Sequence, residues 1–335
     1  MHLGRRRFGN RRNCGKDLDT IVKSDSAVTI VDCGPRDGLS ALARSVPTGE
    51  KARLINGLVA AGVKKIDCVA FTHPRIMPES ADAERVVELI EKKPDVGLNG
   101  VVPSEVACRR AVLTGIDEIL AMVAASEAFN NAALGLSLRQ LMNKSLPAIF
   151  ETARQGGKAI RAYILTAFGC PYSGAVGSET VLKVVSRLTR MGVAEISLVD
   201  STGMANPKQV KRLIESILAL GLESTLAVHF HDTRGTAIAN CVAAYEAGVR
   251  VFDTAIAGLS RTSFGAPNQN LGVWNVPPED LVNLFEEMGV KTGWTWIASW
   301  SAWILRKKSP DGPSRHTFEC PARIPDCLTY LNHCH

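Results

Sequence analysis

A single α/β domain, a (β/α)8 TIM barrel, is the fold class that the sequence predicts, on three observations. A short β-type run followed by a helix-length amphipathic stretch recurs eight times, with strand starts 21–43 residues apart. Such alternation is that of parallel strands joined by right-handed crossovers, and eight of them close a barrel. Polar and ionisable residues gather at the ends of five strand candidates, where the βα loops of a barrel carry its chemistry. The third observation is negative: no Gly-x-Gly-x-x-Gly follows the first strand, which argues against an open dinucleotide-binding sheet.

The elements follow in order. Ala27–Cys33 is an apolar run that ends in the turn signal Gly34-Pro35-Arg36-Asp37-Gly38. The helical stretch Thr48–Ala61 closes at Gly62-Val63, a helix end turning into a strand. Lys65–Phe71 carries Asp67 and runs into Thr72-His73-Pro74. Helix Ala81–Lys92 leads to strand Gly97–Val102, and helix Ser104–Thr114, with serine at its start, leads to strand Glu118–Val123. One long helix, Leu136–Gln155, precedes strand Arg161–Phe168, which ends in Gly169-Cys170-Pro171-Tyr172. Helix Ser178–Met191 closes at Gly192-Val193 before strand Glu195–Val199 and its terminal Asp200-Ser201-Thr202-Gly203. Helix Pro207–Leu220 begins on a proline, which suits a first helical turn, and leads to strand Thr225–His231. Helix Thr236–Ala247, closed by Gly248-Val249, leads to the last strand, Val251–Ala257.

Composition removes several function classes. At 46% hydrophobic and 21% charged, the chain has the apolar surface that a disordered protein lacks. Few aromatics (6%) among many aliphatics suit a parallel sheet buried under helices. No apolar run approaches the roughly 20 residues of a membrane span, so no membrane partner is expected. The net charge of +6 resides wholly in residues 1–16, and the remainder is neutral, so no basic face for nucleic acid is expected. Residues 1–26 read as a basic, disordered leader, 27–292 as the barrel domain, and 293–335 as an atypical tail. The leader is Arg-rich and acid-poor like a mitochondrial transit peptide, but its few apolar residues favour a plain leader on a cytoplasmic protein. Nine cysteines, odd in number and without a Cys-x-x-Cys pair, read as free buried thiols in a reducing compartment.

His229 and His231 stand two apart on a strand and therefore point to one face. An isolated pair of this kind is most simply a polar strand end. Sharing a barrel mouth with Asp37, it becomes a metal site, because neutral imidazoles and a carboxylate can converge on one cation. Two histidines and a carboxylate, completed by oxygen ligands, suit Mg²⁺ or Mn²⁺ better than Zn²⁺.

Five segments then carry a resemblance: GPRDGL (34–39), SEAFN (126–130), GCPYSG (169–174), ISLVDSTGMANP (196–207) and LAVHFHDTRGTAIAN (226–240). Together they resemble the 3-hydroxy-3-methylglutaryl-CoA lyase family of the DRE-TIM metallolyases, over about residues 27–292. The resemblance implies cleavage of that acyl-CoA to acetyl-CoA and acetoacetate, as in leucine degradation and ketone body metabolism, and a homodimer. It implies a divalent cation held by Asp37, His229, His231 and a late asparagine. Asn275 takes that place, because Asn275-Val276-Pro277-Pro278-Glu279-Asp280-Leu281-Val282 keeps the family spacing, which the rival Asn270 does not. The implied catalytic set adds Arg36, which stabilises charge on the enolate oxygen, Asp67 in place of the family's strand-2 glutamate, and Asp200 in the hydrogen-bond network. Asp37 and His229 belong to both sets. A lyase for another 3-hydroxy-3-substituted acyl-CoA, a Claisen-type condensing relative and a weakly active or inactive member are the alternatives.

Three departures from the family pattern stand out. Ser40-Ala41-Leu42-Ala43 replaces Gln-Asn-Glu-Lys after GPRDGL. The loop after the last strand, normally glycine-rich around a catalytic cysteine, reads Ser260-Arg261-Thr262-Ser263-Phe264-Gly265-Ala266-Pro267, with Thr262 at the cysteine position. A hydroxyl is a far weaker acid than the thiol it replaces. Finally, four of the five tryptophans lie at 294, 296, 300 and 303, where an amphipathic closing helix is expected. Read one base earlier, each TGG codon yields an aliphatic codon, and aspartates fall between them, so the tail from 293 reads as frameshifted.

Overall fold

Eight parallel strands close in sequence order, with β1 paired to β8. They are β1 (Thr29–Asp32), β2 (Lys65–Ala70), β3 (Gly97–Val101), β4 (Glu118–Ala124), β5 (Ala159–Leu165), β6 (Glu195–Asp200), β7 (Thr225–Phe230) and β8 (Val251–Thr254). Eight main helices alternate with them: α1 (Thr48–Ala60), α2 (Ala83–Glu88), α3 (Glu105–Ala111), α4 (Leu146–Gln155), α5 (Ser178–Arg190), α6 (Pro207–Leu218), α7 (Ala237–Glu246) and α8 (Pro278–Glu287). The computed structural model describes residues 27–41, 45–260 and 274–294. The leader 1–26, Thr262, Asn270, the tail from 295 onward and Cys14, Cys320, Cys327 and Cys334 lie outside the described residues.

Alternation along the strands sorts the interior into two layers. On β4, Ile119, Ala121 and Val123 join the main core between barrel and helices. Leu120, Met122 and Ala124 point the other way, into the lumen. Both faces are buried, which is why such strands read as continuous apolar runs. The register of β2 against β3 shifts between Asp67 and Val69, so Asp67 and Ala70 both reach the lumen side, although they lie an odd number of residues apart.

The lower lumen is ionic. Lys65 bridges Glu118 at 2.8 Å and Glu195 at 3.0 Å. Arg161, fully buried, pairs with Glu195 and with Asp253, each at 2.6 Å. A charge taken out of water must be paired to be tolerated, and here every lumen cation has two acidic partners.

Helix ends follow the expected chemistry. Ser104 and Asn206 accept the Ala107 and Gln209 amides at the starts of α3 and α6. Gly62, Gly192 and Gly248, after α1, α5 and α7, take the positive φ that ends a helix. The expected helix Leu136–Gln155 runs without interruption from Leu138, after the Ser137 cap, through one π turn at Leu141–Ser145 into α4. A second π turn, Asn130–Leu134, lies earlier in the same excursion. The buried Asn130 side chain grips both the amide and the carbonyl of Ala124 at 2.8 Å, pinning the chain to β4, and Gly135 at φ +66° turns it away. Helix α8 lies beyond the stretches read from the sequence. The described cysteines Cys33, Cys68, Cys108, Cys170 and Cys241 are free and buried, as expected. No helix among the described residues is long and apolar enough to cross a membrane.

Asp32 is a buried carboxyl with no cation beside it among the described residues. One oxygen accepts the Gly34 amide at 2.8 Å, and the other has no hydrogen-bond partner among the described residues. Burial pushes its pKa up to about 8, against the opposing pull of the Gly34 amide. The native state therefore holds a proton between roughly pH 4 and 8 that the unfolded chain has released. Stability should fall as pH rises through that window and level off above it. Asp32→Asn should flatten the decline, so that the variant gains a few kcal/mol on its parent between pH 5 and 8.5 in denaturant titrations. Equal slopes for the two proteins would show that Asp32 is ionised in the fold.

Candidate active site

The mouth of the barrel is organised by the turn after β1. Gly34–Gly38 forms a single π turn in which the Arg36 and Asp37 amides both donate to the Cys33 carbonyl, at 3.2 and 2.7 Å. Gly34 allows it, because a Cβ there would lie 2.6 Å from Ile256 Cγ2 and 2.8 Å from Asp32 Oδ1. The turn delivers two adjacent charged side chains. Arg36 donates from Nε and Nη2 to Asp67 Oδ2, at 2.9 and 2.6 Å, and from Nη1 to Asp37 Oδ1 at 2.8 Å. The short Asp67 side chain thus still reaches the guanidinium.

His229 and His231 face the same mouth from β7, their rings 4.9 Å apart. The Nδ1 of His231 bonds the Asp200 carbonyl at 2.8 Å, and the Nδ1 of His229 lies 3.5 Å from Asp253 Oδ2. Nδ1 is bonded in His231 and turned toward Asp253 in His229, so Nε2 is the nitrogen each ring can offer a cation. One ligand atom each from Asp37, His229 and His231 lie within 4.8 Å of one another. Asn275 completes the cluster. Its Nδ2 donates to Asp37 Oδ2 at 2.8 Å and to the Leu259 carbonyl at 2.9 Å, and Ser260 Oγ also donates to Asp37 Oδ2, at 3.2 Å. An antiparallel bridge between His231 and Asn275 locks the two backbones together.

The electrostatics suit a cation. Burial alone would raise the Asp37 pKa, but Arg36, then His231 and His229, outweigh it and hold the carboxyl below its usual range. Burial, with His229 nearby, lowers the His231 pKa to about 4, so the ring is neutral with a lone pair to give. The Asn275 amide oxygen is buried with no hydrogen-bond partner among the described residues. An orphaned oxygen beside two imidazoles and a carboxylate fits a divalent cation of the Mg²⁺ or Mn²⁺ type.

Asp200 sits differently from the other candidates. Its two carboxylate oxygens accept the Met204 and Ala205 amides, each at 2.8 Å, so the acid shapes the loop after β6 while its carbonyl orients His231. Burial raises its pKa to about 6, against those two amides. Thr262 lies outside the described residues.

Sequence reasoning missed Asp253, Arg161 and Ser197. Asp253 is the register partner of His229 across β7 and β8, which puts the two side chains on the same face. Arg161 Nη2 donates to one carboxylate oxygen at 2.6 Å and Ser197 Oγ to the other at 2.9 Å. Burial would raise the Asp253 pKa, but Arg161, followed by His229, overrides it and keeps the carboxyl well below its ordinary value. A lone acid at a lumen position of an apolar strand was the available signal.

Comparison with known proteins places this geometry among relatives. The family described as HMGL-like matches residues 27–295. The chain is 35% identical to hydroxymethylglutaryl-CoA lyase of Bacillus subtilis over 291 residues, 86% of this chain and 96% of that protein. It is 34% identical to the 3-hydroxy-3-isohexenylglutaryl-CoA/hydroxymethylglutaryl-CoA lyase of Pseudomonas aeruginosa over 266 residues, 79% of this chain and 87% of that one. A solved HMG-CoA lyase from Acinetobacter baumannii, in complex with coenzyme A and 3-methylmalate, superposes with a TM-score of 0.78 at 31% identity, covering 90% of this chain and all of the other.

The Arg161–Asp253 pair generates a stability test. Asp253→Ala leaves a fully buried guanidinium short of one partner, which should cost about 3–5 kcal/mol in urea denaturation. Asp253→Asn, which keeps an acceptor for Arg161, should cost less. A loss under about 1 kcal/mol in the alanine variant would show that water or Glu195 compensates the cation.

Proposed function

The chain belongs to the HMGL-like family of carbon–carbon lyases, and from that premise we propose that it cleaves 3-hydroxy-3-methylglutaryl-CoA to acetyl-CoA and acetoacetate with a divalent cation. The observation that carries the reading is the convergence of Asp37, His229, His231 and the unpaired Asn275 oxygen beside an Arg36–Asp67 pair. Asp37, His229, His231 and Asn275 would hold the cation, Mg²⁺ or Mn²⁺, which would supply a Lewis acid to lower the pKa of the tertiary hydroxyl.

The rest belongs to the chain's own residues. The hydroxyl proton leaves as the C2–C3 bond breaks, and the Asp37 carboxylate, which keeps free oxygen lone pairs, is the base present to take it. The bond electrons pass to the thioester fragment as an enolate. Arg36 stabilises the charge on that enolate oxygen, and it is already oriented, because Asp67 and Asp37 hold three of its N–H groups. Asp253 and the Asp200 carbonyl position the two imidazoles, so that no reorientation is needed during reaction. Protonation of the enolate carbon completes acetyl-CoA, and in the sequence Thr262 falls at the position of the family's thiol donor. Free buried thiols suit a cytoplasmic setting, where they stay reduced.

Four outcomes check this reading. The protein should release acetoacetate from 3-hydroxy-3-methylglutaryl-CoA with Mg²⁺ or Mn²⁺, and excess Mn²⁺ should raise its melting temperature. Asp37→Ala and His229→Ala should each weaken Mn²⁺ binding in calorimetry; unchanged affinity in both would remove them from the ligand set. Thr262→Cys should increase turnover, up to the ~10²–10⁴ that a well-placed proton donor supplies. A turnover unaffected by the new thiol would mean that another group protonates the enolate.

A further inference from the structure

A second set of ligand atoms meets His229 from its other nitrogen. One ligand atom each from Cys33, His229 and Asp253 lie within 4.8 Å of one another, and all three residues are buried. Cys33 continues the lumen face of β1, where it packs with Val31, Ala227 and Val251. Its amide donates to the Thr254 carbonyl at 2.7 Å, so the backbone of β8 holds the sulfur in place, 3.5 Å from the Tyr163 hydroxyl. His229 Nδ1 makes no hydrogen bond among the described residues and lies 3.5 Å from Asp253 Oδ2. That oxygen accepts the Ser197 hydroxyl at 2.9 Å, whereas Arg161 Nη2 is bound to Oδ1, so Oδ2 keeps a lone pair on the His229 side.

A thiolate, an imidazole and a carboxylate are the donors of a thiophilic cation such as Zn²⁺ or Cd²⁺, and a poor set for Mg²⁺ or Mn²⁺. We propose that Cys33, His229 and Asp253 form a second cation site, for a thiophilic divalent cation, and that loading it excludes the cation of the mouth through their shared histidine. The sulfur–metal bond forms as the thiol proton leaves to water. Exclusion follows from counting lone pairs. A neutral imidazole has one N–H and one lone pair. The mouth cation takes that pair at Nε2, with the proton on Nδ1. The thiophilic cation takes it at Nδ1, which moves the proton to Nε2 and turns an N–H toward the mouth. Each cation therefore weakens the other by the same factor. The Cys33 site stands apart from the lyase reading; the exclusion rests on the mouth cation of that reading.

Titration of the full-length protein with Cd²⁺, followed by the ultraviolet sulfur-to-cadmium charge-transfer absorption, reads thiolate ligation directly. Cys33→Ser and Cys33→Ala should each remove one thiolate's share of that band. Both should keep the parent's Mn²⁺ affinity in calorimetry, because Cys33 is not a ligand of the mouth. Mn²⁺ at ~100 times its own Kd should weaken the Cys33-dependent part of the Cd²⁺ titration about 100-fold and leave absorption from other cysteines unmoved. A band that is the same in the parent and both variants overturns the site. A Cys33-dependent band that Mn²⁺ does not shift, in protein that binds Mn²⁺, overturns the exclusion, since both ring nitrogens would then carry a cation at once. A Cys33-dependent band in protein that binds no Mn²⁺ leaves the thiophilic site standing and sinks the mouth cation of the lyase reading.

Discussion

The Arg161 guanidinium, wholly buried in the lumen between Asp253 and Glu195, is the interaction on which the interior depends. Closing eight strands forces alternate residues of each into a space that water cannot reach freely, so any cation there needs anionic partners. Arg161 takes two, from β6 and β8, and lies over the Tyr163 ring on its own strand. It thereby keeps Asp253 ionised at the one register position that faces His229. The ionic floor and the ligand mouth are one connected arrangement.

Three buried aspartates show how environment separates identical groups. Asp253 has a guanidinium beside it and stays ionised despite its burial. Asp67 also faces a guanidinium, Arg36, yet burial prevails and its pKa rises. For Asp32 only the Gly34 and Ile256 backbone amides oppose burial, which carries its pKa to about 8. Burial is common to all three; Arg161 and His229 together hold Asp253 low, whereas Arg36 beside Asp67 is opposed by the nearby Asp253, and no cation among the described residues offsets the burial of Asp32.

The mouth is also divided by chemistry. Side chains from the turn after β1 and from β7 make a polar, ligand-bearing side; β3 to β6 make an apolar one. A reaction that breaks a carbon–carbon bond next to a charged oxygen uses both. The polar side stabilises charge as it develops, and the apolar side lowers the local dielectric so that each charged contact counts for more.

Much of this was legible in the amino-acid order. Strand and helix alternation, glycines at helix ends and the His229–His231 spacing are local patterns, and local patterns survive into the fold because the barrel repeats one supersecondary unit. The motifs at strand ends pointed to Asp37, Arg36 and the histidines. The π turn at Leu141–Ser145 was not legible, because helical periodicity does not encode a locally widened turn. The Arg161–Asp253 pair joins residues 92 apart in sequence, and the His229–Asp253 pairing depends on strand register. The orientation of the Asp200 carboxylate, onto backbone amides instead of into the mouth, depends on how its loop closes. Sequence determined which residues stand at the strand ends; which of them touch was decided by barrel closure, because register and lumen packing are properties of all eight strands at once.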